Sequence, residues 1–316
     1  MTADAAAPAA GIEAWAGPED LEALAGIVAE APGEALEREL YHRWYLQMRP
    51  AVAGAGAPGV APLAVDPARA LWAAHAGAAL FEDGWVARAV SSAGRVEAVR
   101  GDERRVAGPG EHVVRGRPGR RPRPGDALAL ASTVASVEDG WWVGRSGLGF
   151  SPDVPFTRVY VHVRQDSAAA GVAVLTQALV CRVPFAVKVS MVLGEADRPD
   201  GLVLYVARRD FHASLRAPLA AAFGRLGSLG LVEASVPRMT ARLAPGVGAA
   251  DGPPDGGSFG LERCGVVAAA ARSLAPGSRE PGALADAVAA AFAAAGLDPA
   301  RPYLASPDDH DYLDAR

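Results

Sequence analysis

Apolar and polar residues alternate along two runs within residues 156–193, which is the period of strands whose two faces meet different surroundings. In the first run, FTRVYVHV, valines fall on one face while Arg158, Tyr160 and His162 fall on the other. In the second run, FAVKVSM, large apolar residues alternate with small residues and with Lys188. The apolar stretch between the runs, AAAGVAVLTQALV, reads as a short helix. The pattern predicts a strand, a helix and a second strand that carries Lys188 on its polar face.

Periodicity elsewhere in the chain predicts helices near both ends and further strands between them. The predicted helices cover residues 18–31, 33–49, 67–81, 214–228, 258–273 and 281–295. Strand-like pieces cover residues 85–99, 110–116 and 202–207, and residues 237–257 read as a long loop. This order predicts an α+β fold, with N-terminal helices followed by a mostly antiparallel sheet that has helices packed on one face.

The same order predicts how the chain is divided. Residues 1–17, rich in Ala, Pro and Gly, are expected to form a disordered tail. Residues 18–105 are expected to form an N-terminal helical region, and residues 106–316 an α+β region that makes one compact unit with it. Within the helical region an aromatic stripe at helical spacing, which includes Tyr41 and Tyr45, favours packing over a binding role.

Composition limits the cellular compartments and the binding partners expected for the protein. The chain has 316 residues and a net charge of −5, which argues against general binding to nucleic acid. Cys181 and Cys264 lie far apart without a CxxC spacing, which favours a reducing compartment and no zinc site. The N-terminus lacks a signal-peptide pattern, and no apolar run reaches the roughly 18 residues of a membrane span. We expect a cytoplasmic protein that binds neither nucleic acid nor membrane.

The 31 basic residues include a single lysine, Lys188. In a chain where Arg replaces Lys so generally, a retained Lys suggests a position that needs an amine able to lose its proton. Two interpretations of its surroundings remain open. The polar face is either the solvated side of an antiparallel sheet or the floor of a cleft for an anion. Neither strand-like run contains a carboxylate, which favours the cleft.

A neutral amine among guanidinium groups suits β-elimination of phosphate. Neighbouring positive charge lowers the pKa of an amine towards neutrality, so the amine becomes a usable base. Arginines bind phosphate through paired N–H donors, and a Tyr or His can protonate the departing phosphate. The sequence contains no HExxH, no Cys/His ligand cluster, no Walker motif and no kinase catalytic motif. No metal site and no cofactor are therefore predicted.

Residues 257–263, GSFGLER, open a predicted helix. Gly257, Ser258 and Gly260 leave backbone N–H groups free at its N-terminus, and Arg263 is close in sequence. That combination is able to hold a phosphate. The alternative is an ordinary helix cap by Ser258.

The central and C-terminal sequence resembles the HopA-type family of type III effectors. The resemblance rests on FTRVYVHV, VPFAVKV, RPDGLVLYVARRD, the MTARLAPGVG loop followed by GGSFGLERC, and GLDPARPYL. The resemblance covers roughly residues 135–305, and for this reason we expect the α+β region to be lyase-like. Relatives act in class V lanthipeptide and thioamitide pathways, as the lyase partner of a phosphotransferase. The sequence departs from the family pattern at Met239, where Phe is expected, and in the less acidic loop AADGPP.

The resemblance implies an enzyme that removes phosphate from phosphoserine or phosphothreonine in a ribosomally made peptide, leaving dehydroalanine or dehydrobutyrine. Its expected partners are the phosphorylated precursor peptide and a separate kinase. Lys188 takes the role of base, with Tyr160 as first candidate for the acid and His212 as second. The expected phosphate-binding residues are Arg158, Arg198, Arg263 and Ser258.

Two other functions remain open from the sequence. One is a non-catalytic module that binds a phosphorylated or leader peptide and presents it to a kinase. The other is an effector-like protein that acts on host phosphoproteins. Loss of phosphate from a phosphopeptide, and its dependence on Lys188, distinguishes the lyase from the binding module.

Overall fold

A computed structural model of the chain describes residue 12 and residues 15–31, 33–48, 67–76, 81–109, 111–117, 119–131, 135–146, 154–180, 182–191, 198–253 and 256–312. Most of the tail predicted for residues 1–17 and position Cys181 lie outside these ranges. The described residues form helices and two antiparallel sheets, so the predicted α+β fold is confirmed. None of the described helices combines the length and the hydropathy that a membrane span requires.

The helices lie at the two ends of the chain and between the strands of the larger sheet. They are α1 (Pro18–Glu30), α2 (Leu36–Glu39), α3 (Pro67–Ala74), α4 (Ala168–Leu179), α5 (Arg208–Asp210), α6 (Arg216–Ser228), α7 (Phe259–Ser273) and α8 (Pro281–Ala294). Short 3-10 turns occur at Gly33–Ala35, Gln165–Ser167 and Pro276–Ser278. Two π-helical turns, Leu40–Tyr45 and Phe211–Leu215, continue α2 and α5.

The smaller sheet has the strand order β3-β2-β1-β5-β4. Its strands are β1 (Phe81–Val90), β2 (Val96–Arg100), β3 (Glu103–Ala107), β4 (His112–Val114) and β5 (Ala127–Ala131). They enclose a small separate core around Trp85, whose ring lies under the guanidinium groups of Arg100 and Arg105 at 4.6 and 5.1 Å. The boundary predicted at residue 105 falls inside this sheet, because short amphipathic strands occupy residues that were assigned to the helical region.

The basic, proline-rich segment of residues 115–125 is bound to the smaller sheet. Arg115 pairs with Asp83, and Arg121 donates to the carbonyl oxygens of Ser91 and Ser92 at 3.0 and 2.9 Å. These contacts close the loop that leads from β4 to β5, so the arginines stabilise the sheet on which they lie.

The larger sheet has the strand order β11-β12-β8-β10-β9-β7-β6. Its strands are β6 (Ala135–Glu138), β7 (Trp141–Arg145), β8 (Phe156–Val161), β9 (Phe185–Ser190), β10 (Leu202–Ala207), β11 (Ala241–Ala244) and β12 (Val247–Asp251). Strands β8, β9 and β10 coincide closely with the sequence prediction. Strands β11 and β12 occupy the segment predicted to be a loop, and a turn at Gly246, with φ of +69°, joins them.

Helical residues lie against both faces of the larger sheet, whereas the sequence predicted helices on one face. On one face, α4 packs so closely that a Cβ on Gly171 would lie 3.1 Å from Val163 and 3.5 Å from Leu202. On the other face, Phe259 of α7 contacts Tyr160, with ring centroids 6.4 Å apart. All six residues of β8 are buried, so the solvated-face interpretation of this strand was wrong. Its aromatic side chains need a second covering layer.

Candidate functional site

The register of the three central strands places Lys188 and Tyr160 in one row. Val203 of β10 pairs with Lys188 of β9 on one side and with Tyr160 of β8 on the other. Paired residues of antiparallel strands point to the same face, and each strand spacing is about 4.8 Å. The two side chains therefore rise from the same face about 10 Å apart, with the shorter Val203 side chain between them.

Arg158 lies in the neighbouring row, two residues before Tyr160 on the same face. It is 5% exposed, and its guanidinium group lies 5.0 Å from the ring of Phe156 and 5.8 Å from that of Tyr205. The Nη2 group donates to the carbonyl oxygen of Gly257. The Nη1 group is buried without a hydrogen-bond partner among the described residues. A buried donor left unpaired is costly, so this group is a candidate to bind a ligand.

The N-terminus of α7 lies beside Arg158. Ser258 caps the helix, since its hydroxyl accepts a hydrogen bond from the backbone of Leu261 at 3.4 Å. Residues 256–260 all line the same cavity as Lys188. The first N–H groups of a helix and its dipole favour an anion at this end. Ser258 can therefore cap the helix and also lie at the predicted phosphate site, because the two roles do not exclude each other.

Tyr41 and Tyr45 cover the cavity from the Leu40–Tyr45 turn. Their rings stack with centroids 5.5 Å apart and an interplanar angle of 18°. Gly260 makes this approach possible, because a Cβ there would lie 2.5 Å from the Tyr45 ring and 2.7 Å from the Tyr41 ring. The aromatic stripe, for which packing was favoured, thus packs and also lines the cavity.

A buried ion pair forms another part of the wall. Arg198 donates from Nε to Oδ1 of Asp200 at 2.6 Å and from Nη2 to Oδ2 at 3.1 Å. Tyr41 donates its hydroxyl to Oδ2 at 3.2 Å. Trp141 lies beside two cations, with its ring centroid 4.3 Å from Nζ of Lys188 and 5.0 Å from the guanidinium carbon of Arg198. The indole ring therefore links Lys188 to the ion pair by cation–π contacts.

These residues enclose one cavity of about 220 Å³, which we call the Lys188 cavity. Aromatic residues are the largest group in its lining, with Lys188 and Arg158 as cations and Asp200 as the carboxylate. The lining comprises Tyr41, Tyr45, Trp141, Arg158, Tyr160, Lys188, Asp200, Val203, Tyr205 and residues 256–260. Burial raises the pKa of Tyr160, and the nearby Arg158 opposes that shift only in part. Burial also raises the pKa of Tyr41, with Asp200 adding to the shift. Both phenols therefore stay protonated at neutral pH and are available as hydrogen-bond donors.

Lys188, Tyr160, Arg158 and Ser258 of the predicted site residues line this cavity. Arg198 contacts it through Asp200 and Trp141. Arg263 does not line it; its side chain is 2% exposed and donates to the carbonyl oxygens of Pro302 and Leu304 at 2.9 and 3.0 Å. These bonds fix α7 to the C-terminal segment. The remaining Nη1 group is ion-paired with Glu262 at 2.9 Å and has no hydrogen-bond partner among the described residues.

His212 lies in a different place. It borders a separate cavity, of about 580 Å³, together with Arg208, Arg209 and His310. Its ring stacks on Tyr312 with centroids 5.2 Å apart, and burial lowers its pKa. The structure does not bring His212 to the Lys188 cavity, which leaves Tyr160 as the acid candidate beside Lys188.

Sequence reasoning missed Trp141, Asp200 and the cavity role of Tyr41. Asp200 follows Arg198 by two residues in RPD, a local signal for a charge pair. The hydrogen bond from Tyr41 to Asp200 spans 159 residues, and no local pattern predicts such a contact.

The fold and the cavity define an α+β protein with a small, partly cationic and partly aromatic site suited to an anion. The sequence model of the HopA1 effector protein family matches residues 135–304, more than half of the chain. The chain therefore belongs to the HopA1 effector protein family, as the sequence resemblance predicted.

Two solved structures are similar to the chain. The structure of the effector protein from Pseudomonas syringae pv. tomato strain DC3000 aligns with a TM-score of 0.49 and 14% identity, covering 91% of this chain and 96% of that one. The structure of the effector protein from Pseudomonas syringae pv. syringae strain 61 aligns with a TM-score of 0.40 and 18% identity, covering 52% of this chain and 63% of that one. A search of curated proteins finds no match.

Proposed function

We propose that this protein is a carbon–oxygen lyase that eliminates phosphate from phosphoserine or phosphothreonine in a ribosomally synthesised precursor peptide. The products are dehydroalanine or dehydrobutyrine and free phosphate, and a separate kinase supplies the phosphorylated peptide. The observation that supports the proposal is the convergence of Lys188, Tyr160, Arg158 and the N-terminus of α7 on one cavity. Membership of the HopA1 family is compatible with this activity.

Each group has one role in the proposed reaction. Lys188 in its neutral form takes the proton from Cα, and the electrons of that C–H bond form the Cα=Cβ double bond. The Cβ–O bond breaks, and its electrons leave with the phosphate. Arg158 and the N–H groups at the start of α7 stabilise the departing charge. Tyr160, which is protonated at neutral pH, donates its proton to the leaving oxygen.

The size of the cavity supports a side chain as the occupant. Its volume of about 220 Å³ is below the roughly 300–1,000 Å³ of sites that bind whole drug-sized ligands. A phosphorylated Ser or Thr side chain is small enough to enter, while the rest of a peptide stays outside. Arg158 is only 5% exposed, and this burial strengthens its interaction with phosphate.

The test compares the wild type with Lys188→Arg and Lys188→Ala on a synthetic phosphothreonine peptide, with loss of phosphoric acid followed by mass spectrometry. Lys188→Arg keeps the positive charge but removes the base, because guanidinium does not lose its proton. We expect elimination by the wild type and a loss of at least about a hundredfold in both variants. Arg209→Ala is the matched control, since its side chain is 87% exposed and lies outside the cavity.

Two results would contradict the proposal. Full turnover by Lys188→Arg would show that Lys188 is not the base. A wild-type protein that binds the phosphopeptide in the presence of the kinase but never eliminates phosphate would favour the non-catalytic binding module.

A further inference from the structure

Asp200 is a buried carboxylate in a cavity whose other charged lining residues are cations. It is 5% exposed, and its orientation is fixed by both bonds from Arg198 and by the bond from Tyr41. A carboxylate that served only to neutralise Arg198 would have no need to border the cavity. Asp200 borders it, whereas the guanidinium group of Arg198 is paired with Asp200 and lies beside the Trp141 ring.

The hydrogen bonds of Asp200 leave one acceptor position. A carboxylate offers about four lone-pair sites, two on each oxygen. In the structure Oδ1 accepts from Nε of Arg198, while Oδ2 accepts from Nη2 of Arg198 and from the hydroxyl of Tyr41. No other described residue donates to Oδ1, so one of its acceptor sites is available to a further donor. Tyr41 and Arg198 hold the carboxylate still, so accepting a donor from a ligand needs little rearrangement.

A cavity lined by two cations and by a carboxylate acceptor matches a ligand that carries an anion and an N–H group. In the proposed reaction the phosphate lies at Arg158 and α7, and the Cα proton faces Lys188. The two remaining substituents of Cα are the peptide nitrogen and the peptide carbonyl carbon. The carbonyl oxygen is an acceptor and is repelled by a carboxylate, whereas the N–H is a donor.

We infer that Asp200 binds the backbone N–H of the phosphorylated residue and so sets the direction in which the peptide crosses the Lys188 cavity. The inference rests on the proposed function, because it takes a phosphorylated peptide as the substrate. It makes Asp200 a substrate-positioning and specificity-determining residue, with Tyr41 and Arg198 holding it in place. The N-terminal side of the peptide then lies towards Tyr41. A substrate without that N–H, such as one with a methyl group on the nitrogen, is selected against.

The test uses three synthetic pentapeptides, acetylated and amidated at their ends, with a central phosphonate analogue of phosphothreonine. In the phosphonate a methylene group replaces the bridging oxygen, so nothing is eliminated and binding is measured alone by calorimetry. The first peptide is unmethylated, the second carries a methyl on the nitrogen of the central residue, and the third carries it on the nitrogen of the following residue. The third controls for the effect of methylation on peptide conformation.

For the wild type we expect the second peptide to bind about ten- to a hundredfold more weakly than the third, the range for one hydrogen bond to a charged group. In Asp200→Asn this discrimination is expected to fall at least about fivefold, since a neutral acceptor binds the N–H more weakly. Asp166→Asn, which alters an exposed ion pair with Arg164, is the matched control and retains the discrimination.

The comparison of the second and third peptides on the wild-type protein tests the role of Asp200 even if Asp200→Asn is poorly folded. Equal binding of the second and third peptides by the wild type overturns the inference. Undiminished discrimination in Asp200→Asn also overturns it, because another group then accepts the N–H. The proposed function is tested separately by elimination from the unmethylated phosphate ester. If the protein eliminates phosphate but binds both methylated peptides equally, the proposed function stands and the inference about Asp200 is wrong.

Discussion

Gly260→Ala tests whether the aromatic cover of the Lys188 cavity depends on the close approach of α7. A Cβ at this position would lie 2.5 and 2.8 Å from two atoms of the Tyr45 ring and 2.7 Å from the Tyr41 ring. Carbon atoms in contact are normally about 3.5–4.0 Å apart, so the helix or the rings must move by roughly 1 Å. Tyr45 is 1% exposed and borders the Lys188 cavity, so a displaced ring must press on its packed neighbours or enter the cavity.

The expected cost follows from that displacement. Overpacking of a buried site by one methyl group typically destabilises a protein by about 1–3 kcal/mol. In a chain of this size that corresponds to a decrease in Tm of a few degrees. A shift of about 1 Å in the groups that hold a substrate lowers catalysis by roughly a hundredfold. We therefore expect a modest loss of stability and a much larger loss of phosphopeptide elimination.

Gly265→Ala is the matched control in the same helix. A Cβ there would meet its nearest atom, in the side chain of Glu37, at 3.7 Å, which is an ordinary contact. Since Ala favours a helix over Gly by about 1 kcal/mol, this variant is expected to be as stable as the wild type or more so, with unchanged activity. Thermal unfolding and the rate of phosphate release check both variants. If Gly260→Ala matches Gly265→Ala in both measurements, the close approach of α7 does not shape the cavity.

Two further predictions concern residues outside the cavity. Burial lowers the pKa of His75 from 6.5 to about 4, so the unfolded chain binds a proton between these values while the folded chain does not. The free energy of unfolding is then highest above pH 6.5 and decreases by up to about 3 kcal/mol as the pH drops to about 4. Denaturant unfolding at neutral and acid pH should show a smaller decrease for His75→Leu than for the wild type. An equal decrease in both proteins would refute His75 as the cause. Arg263→Met removes the donors to two buried carbonyl oxygens and should cost about 2–4 kcal/mol, seen as a lower Tm. An unchanged Tm with weaker phosphopeptide binding would instead support the phosphate-binding role predicted from the sequence.

The central strands were predictable because their residues carry a complete local signal. LVLYVA was predicted as a strand over the residues where β10 lies, and the alternation around Lys188 gave the correct face of β9. Strands β11 and β12 were missed because their residues, ARLA and VGAAD, are small and resemble a loop. The sheet needs small residues in β12, since a Cβ on Gly248 would clash with Thr240. The turn dipeptide Pro245–Gly246 was the available signal for a hairpin.

The smaller sheet was predicted only in part, since strand-like pieces were assigned to residues 85–99 and 110–116 but not β3, β5 or the sheet that the strands form. Its strands are short, and their outward positions are occupied by arginines and acids as well as by exposed residues such as Val86 and Val106. Alternation is therefore weak in each strand, and the core around Trp85 becomes visible only when five strands are brought together. Pairing between strands is a long-range property that single-strand periodicity does not contain.

The site itself is divided between parts of the chain that the sequence treats separately. The family match begins at residue 135, yet Tyr41 and Tyr45 of the N-terminal region form part of the cavity lining. Tyr41 binds Asp200 directly, and α7 approaches both rings at Gly260. The N-terminal helices also pack on α7 and α8. Because the cations come from the sheet and the cover comes from residues 40–45, the cavity exists only where both regions are folded together. The N-terminal region is thus a component of the site, and changes in its sequence are expected to alter which peptides enter.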